Sequence, residues 1–186
     1  MTEKEKCAWG EYYDANYDSE LLAERQQCAE WLYDFNRLRP SQESEREETL
    51  RKIIGKLGNG CSVISPFFCD YGYNVEVGDN SFFNTNCVIL DEAKVKFGSN
   101  VFVGPNCSFY TAQHPLDAER RNKGLEKASP ITVGDSVWFG GNVCVLPGVT
   151  IGSNTVIGAG SVVVRDIPSG VVAVGNPCRP IKKIED

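Results

Sequence analysis

The sequence predicts a mainly β solenoid, a parallel β-helix with a small helical cap at its N-terminal side. Three observations predict it. Over residues 131–166 an apolar residue returns every six positions, at Val133, Phe139, Val145, Ile151, Ile157 and Val163. A second track runs two residues earlier, through Ile131, Val137, Val143, Val149, Thr155 and Ser161. Glycine follows the first track at Gly134, Gly140, Gly152 and Gly158, with Pro147 standing near the missing one. A helix would bring apolar residues back about every 3.6 positions and a half-buried strand about every 2. A period of six with glycine at a fixed offset reads as short rungs stacked into a solenoid. The glycines are expected at the corners, where φ > 0 suits them.

Taken in order, residues 1–58 lie outside the repeat and form the cap. Leu21, Leu22, Cys28, Trp31, Leu32, Phe35 and Leu38 recur at helical spacing, which predicts one amphipathic helix over 19–39, stopped by Pro40. A second helix is expected to open on a Ser44-x-x-Glu47 capping box, bury Leu50, Ile53, Ile54 and Leu57, and end at Gly58. Such a cap suits a solenoid, whose open end exposes apolar rungs and unpaired edges.

The β-helix is expected over 59–186. Val77, Phe83 and Ile89 keep step by six; Asp91 and Glu92 then shift the phase by two before Phe97, Val103 and Phe109 resume it. That insertion is expected to bulge outward at a corner. Residues 110–130 break the register altogether, and a long loop on a regular scaffold is a common place for function. The tail, 167–186, carries Arg179, Lys182 and Lys183.

Composition narrows the function classes. The net charge is −6, which argues against a nucleic-acid binder, since phosphate contacts leave a basic footprint. No apolar run approaches the roughly 18–20 residues of a membrane span, and the polar start MTEKEKCAWGEYYD does not read as a secretory signal. Eight cysteines show no CxxC spacing and the chain has one histidine, so neither a zinc site nor a disulfide framework is favoured. They read as small buried hydrophobes, Cys87 and Cys144 at inward positions, in a reducing cytoplasmic compartment. No metal is expected, and a three-histidine centre is impossible within this chain.

His114, the only histidine, sits in the irregular loop. The residue alone leaves packing and general-base roles open; its place in the loop favours the base, since imidazole titrates near pH 6.5 and can accept a hydroxyl proton. Asn84, at the end of a rung, reads as a turn residue or a hydrogen-bond donor. Trp138 is expected at a rung corner or a subunit contact.

The segment YGYNVEVGDNSFFNTNCVILDE at 71–92, the loop TAQHPLDAERR, the block PITVGDSVWFGGNVCVLPGVTIG and the tail VGNPCRPIKKI resemble the maltose/galactoside/nodulation-type sugar O-acetyltransferases, over nearly the whole chain. The resemblance implies a left-handed β-helix, a homotrimer with sites between subunits, and transfer of an acetyl group from acetyl-CoA to a sugar hydroxyl. It makes His114 the general base and Asn84 the oxyanion donor, which also faces the acceptor. It places Asp14, Asp70, Glu92 and Glu126 around the acceptor, with Asp70 resembling the maltose branch. It places Gly141, Ala159, Val164, Arg165, Arg179 and Lys182 along CoA; Val164-Arg165 stands where the galactoside branch has Thr-Lys. Rival readings are an acetyltransferase for another hydroxyl compound, such as an antibiotic, and a non-catalytic β-helical scaffold.

Overall fold

Inward-pointing residues on very short strands organise the structure, a computed structural model that describes residues 1–185. Helix α1 (Glu3–Ala8) and strand β1 (Tyr13–Asp14) come first, then α2 (Ser19–Arg37) and α3 (Glu43–Ile53). The first coil is β2 (Lys56–Leu57), β3 (Ser62–Val63) and β4 (Phe67–Cys69). The second is β5 (Val75–Val77), β6 (Phe82–Phe83) and β7 (Cys87–Leu90); the third is β8 (Val95–Phe97), β9 (Phe102–Val103) and β10 (Ser108–Tyr110). An arm interrupts here, made of β11 (Ala112–Gln113), α4 (Ala118–Asn122) and β12 (Leu125–Ala128). Coils four and five follow as β13 (Ile131–Val133), β14 (Trp138–Phe139), β15 (Cys144–Val145), then β16 (Thr150–Ile151), β17 (Val156–Ile157), β18 (Val162–Val163). The hairpin β19 (Val171–Gly175) and β20 (Cys178–Lys183) closes the far end.

Each third strand pairs in parallel with its equivalent one coil away, giving three faces: I (β2, β5, β8, β13, β16), II (β3, β6, β9, β14, β17, β19) and III (β4, β7, β10, β15, β18). Both six-residue tracks point inward: Val133, Phe139, Val145, Ile151, Ile157 and Val163, with Ile131, Val137, Val143, Val149, Thr155 and Ser161, are all buried. The axis holds a run of edge-to-face rings, Phe83, Phe97, Phe109 and Phe139, at successive centroid separations of 4.9, 4.9 and 5.3 Å. Buried Thr155 and Ser161 donate to the carbonyls of Pro168 and Gly158, which satisfies the two polar members of the inner track.

The repeat glycines act differently from the expectation. Positive φ falls two residues later, on Asn100, Asn106, Ser136, Asn142 and Asn154, where a short polar side chain tolerates the left-handed region. The glycines themselves let coils stack. A Cβ on Gly98 would stand 2.7 Å from the Gly134 carbonyl carbon, and one on Gly140 2.6 Å from the Ala159 nitrogen. Backbone cannot move aside there, so the track excludes any side chain.

Several cap and corner expectations are also corrected. The α3 N-cap is Gln42, without a side-chain hydrogen bond, so no Ser44–Glu47 box forms. That helix stops at Ile53 because the chain already enters β2, and Gly58 turns the first corner, its absent Cβ pressed against Asp79. Leu22 is exposed. Cys144 is half-buried and alternates outward against inward Val145, whereas Cys87 is fully buried as expected. All eight cysteines are free thiols. Trp138 lies in mid-face on β14, directly between Phe102 and Val156 on the outer side of face II, not at a corner.

Candidate active site

The phase shift at Asp91-Glu92 does not bulge into solvent. It lies at the III–I edge, roofed by the N-terminal segment, and both side chains are buried. Asp91 is tied down by three backbone amides, those of Asp70, Tyr71 and Asn74, at 3.0, 2.8 and 3.3 Å. Burial nevertheless wins over these donors and pushes its carboxyl up to about 6. Glu92 is raised further, first by burial and then by the neighbouring Asp70 carboxyl, with Glu126 adding to the effect. Burial beside a second carboxyl thus favours the protonated form of Glu92. Thr111, one coil on, donates its hydroxyl to the Leu90 carbonyl at 2.8 Å, and its oxygen lies 3.1 Å from Glu92 Oε2. The acidic proton of Glu92 is suited to that oxygen or to Asp70.

The arm leaves from the same edge immediately after Thr111. It is not irregular throughout: β12 pairs antiparallel with β11 on one side and with β1 on the other. Asp117 caps α4 by accepting from the Arg120 amide at 2.9 Å. His114 follows β11, half-exposed, with Nδ1 3.1 Å from the Leu125 carbonyl oxygen. A carbonyl can only accept, so Nδ1 carries the proton and Nε2 presents a lone pair. Nε2 stands 3.9 Å from Glu126 Oε2. The other oxygen of Glu126 accepts from the Tyr13 hydroxyl. Asp14, on the other side of β1, spends Oδ1 on the amides of Asn16 and Tyr17 in a local turn. The structure thus gathers His114, Glu126, Glu92 and Asp70 on one edge and turns Asp14 away from Tyr13 and Glu126.

Asn84 stands elsewhere. It occupies the II–III edge, where its amide bonds the Val103 carbonyl and the next coils place Gly104, Gly140 and Gly158 in the same register. Its Oδ1 accepts from the Thr85 amide at 2.8 Å. The side-chain NH₂ is thereby aimed away from the backbone, with no hydrogen-bond partner among the described residues. Gly141 and Ala159 lie on this same edge, the first with ordinary space around it: a Cβ there would come no nearer than 3.4 Å to Pro105. Along this edge Gly104, Gly140, Gly141 and Ala159 therefore leave the backbone open to close approach, starting from the amide of Asn84. Val164 and Arg165 lie on the III–I edge beyond β18, exposed, while Arg179 and Lys182 are exposed on β20 beside face II. A cavity of about 630 Å³ between α1 and face I borders Glu92 but contains neither His114 nor Asn84.

Known proteins share this fold. The maltose acetyltransferase hexapeptide capping motif matches residues 6–58, and the six-repeat bacterial transferase hexapeptide matches residues 130–165. A Saccharomyces cerevisiae protein named as an acetyltransferase is 52% identical over 95% of the chain and 90% of its own length. The chain belongs to the hexapeptide-repeat acetyltransferase family. Its fold matches a maltose O-acetyltransferase from Clostridium difficile 630 with a TM-score of 0.98 and 50% identity, covering 100% of this chain and 99% of that one. A galactoside acetyltransferase solved with coenzyme A superposes with a TM-score of 0.96 at 38% identity, over 100% and 92% of the two chains. A hexapeptide-repeat acetyltransferase from Vibrio cholerae O1 biovar eltor, solved with acetyl coenzyme A, gives 0.92 at 38% identity over the whole of both chains. Among the described residues no group of His, Cys, Asp and Glu side chains is arranged to hold a metal ion, and no helix is long and apolar enough to cross a membrane.

Tyr13 escaped the sequence reading. Its only signal was an aromatic pair, Tyr12-Tyr13, inside an otherwise charged and polar stretch. The role of that stretch as a strand depends on the arm, more than a hundred residues away.

Proposed function

We propose that this enzyme moves an acetyl group from acetyl-CoA to a hydroxyl of a sugar, in the cytoplasm, as a homotrimer, with residues 110–130 as its catalytic loop. The observation that carries the reading is the fixed tautomer of His114. With Nδ1–H held by the Leu125 carbonyl, Nε2 is the ring atom left to accept the proton of an acceptor hydroxyl. The hydroxyl oxygen then attacks the thioester carbonyl, and the imidazolium returns a proton to the departing thiolate. The free NH₂ of Asn84 suits the oxyanion that develops on the carbonyl oxygen. Protonated Glu92 and the carboxylates of Asp70 and Glu126 offer one donor and several acceptors to a ligand covered in hydroxyls.

A site built between subunits, as in a trimer, suits the same chemistry. Asn84, Gly141 and Ala159 stand on the II–III edge, whereas His114 and the acids stand on the III–I edge, a whole face away on the same chain. A single chain holds both halves but does not join them. When the II–III edge of one subunit packs near the III–I edge of the next, amide and imidazole meet over one thioester. Gly141 and Ala159 then flank the pantetheine arm, and the cations Arg165, Arg179 and Lys182 are placed to meet the phosphates of the nucleotide.

Thiol release from acetyl-CoA against sugars, simple alcohols and hydroxylated antibiotics tests this reading. Sugars are expected to give the highest turnover, and His114→Ala to lower kcat by about 10²–10⁴. No turnover above water with any acceptor favours the scaffold reading, a preference for the antibiotics favours the second acceptor class, and an active His114→Ala removes the general base.

A further inference from the structure

The side chain of Tyr13 is almost fully buried, 1% exposed, and its hydroxyl meets Glu126 across the two-residue pairing of β1 with β12. Glu126 is itself 7% exposed. Its two oxygens have different surroundings. Oε1 accepts the hydrogen bond from the Tyr13 hydroxyl; Oε2 faces His114 Nε2 at 3.9 Å. The Leu125 carbonyl that orients the imidazole belongs to the residue next to Glu126, and Leu125 is the register partner of Asp14. One short N-terminal strand therefore braces both the base and the carboxylate beside it. We propose that Tyr13 is a positioning residue that locks Glu126, so that Glu126 Oε2 and His114 Nε2 form a fixed pair of acceptors for two neighbouring hydroxyls of one acceptor molecule.

The proposal rests on the acetyl-transfer reading above. Two bare acceptor atoms 3.9 Å apart are matched by a polyol, in which the reacting hydroxyl donates to Nε2 and a hydroxyl one or two carbons away donates to Oε2. Burial keeps the Tyr13 phenol protonated far above its ordinary range, so it remains a donor at any working pH. Without that donor, a buried carboxylate oxygen loses its partner. Glu126 is then free to turn, and its Oε2 leaves its place 3.9 Å from His114 Nε2. This spoils the pair while leaving the opposite edge of the solenoid, where Asn84, Gly141 and Ala159 stand, untouched.

The test measures kcat and KM for a hexoside, each of its monodeoxy analogues and a simple primary alcohol, using the full-length enzyme, Tyr13→Phe and Glu126→Gln. The unsubstituted enzyme is expected to lose about tenfold in kcat/KM on one monodeoxy analogue, the value of one hydrogen bond to a charged group. Both variants are expected to lose about tenfold on the intact hexoside, to lose nothing more on that analogue, and to keep the KM for acetyl-CoA. Equal losses on hexoside, analogue and simple alcohol, or a parallel rise in the KM for acetyl-CoA, would show that Tyr13 only supports the fold and would overturn the proposal. So would unchanged kinetics in either variant. Absence of thiol release by the unsubstituted enzyme with every acceptor defeats the acetyl-transfer reading itself; turnover without the coupling defeats only the role of Tyr13.

Discussion

Coils four and five and the arm at 111–128 obey different rules, although both leave from the same edges of one solenoid. In the coils, every inward position is apolar or a self-satisfied Ser or Thr, and Gly134, Gly140 and Gly152 meet the backbone of the coil beyond. At the arm and the corner beneath it, the chain buries Glu126, Glu92 and Asp91, and holds them with an aromatic hydroxyl, a threonine and backbone amides. Buried ionisable groups are costly unless paired, so a solenoid that needed only to stand would not collect them. Ladder and site are therefore separable, and single substitutions are expected to tell them apart.

After His114→Ala, the largest effect is expected from the edge that looks most regular. Asn84→Ala is predicted to lower kcat by about 10²–10³ with only a small fall in melting temperature, since it removes the proposed oxyanion donor and one hydrogen bond to the Thr85 amide without touching the packed core. A large fall in melting temperature together with kcat would instead place Asn84 with the ladder. The adjacent glycines Gly140 and Gly141 then divide structure from function. Gly140→Ala forces a Cβ to within 2.6 Å of backbone, and urea titration is predicted to show a loss of about 1–3 kcal/mol, typical of overpacking. Gly141→Ala meets nothing closer than 3.4 Å; its unfolding midpoint should hold while the KM for acetyl-CoA rises. Equal stability losses in the two would mean that the corner packs as a unit.

A further effect concerns pH. Asp91 binds its proton more tightly in the folded state than in the unfolded chain, because burial raises it from 3.8 to about 6. Its contribution to stability is therefore present below the unfolded value and is lost as pH rises through about 6. Melting temperatures between pH 4 and 7 are expected to fall less steeply for Asp91→Asn than for the parent. A steeper fall in the variant contradicts the assignment.

The ladder was legible from one chain because its rule is local: a residue type, a spacing and a glycine offset recur, so each rung confirms the last. Even so, the reason for the glycines was not legible. Spacing shows where they stand, while only the stacked coils show that Gly98 and Gly134 lie too close for a Cβ. The site was legible in part. His114 could be singled out because it is the only histidine and falls where the rhythm stops, and Glu92 because it breaks the phase. The strand β1, the helix α4 and the Tyr13–Glu126 bond were not legible, because each depends on contact between segments far apart in sequence. The inward turn of Asp91 was missed for the same reason: a two-residue insertion looks like a bulge until the segment that roofs it is known.

The division of the site between two edges has one direct test. His114→Ala and Asn84→Ala are each predicted to be nearly inactive, and the two proteins are to be unfolded together, refolded as mixed oligomers and assayed for thiol release. If a site takes its imidazole from one subunit and its amide from the next, some interfaces in the mixture pair an intact His114 with an intact Asn84, and activity rises well above the sum of the two variants. If the mixture stays at that sum although mixed oligomers have formed, His114 and Asn84 do not work across a subunit boundary, and an active site shared between two edges is wrong.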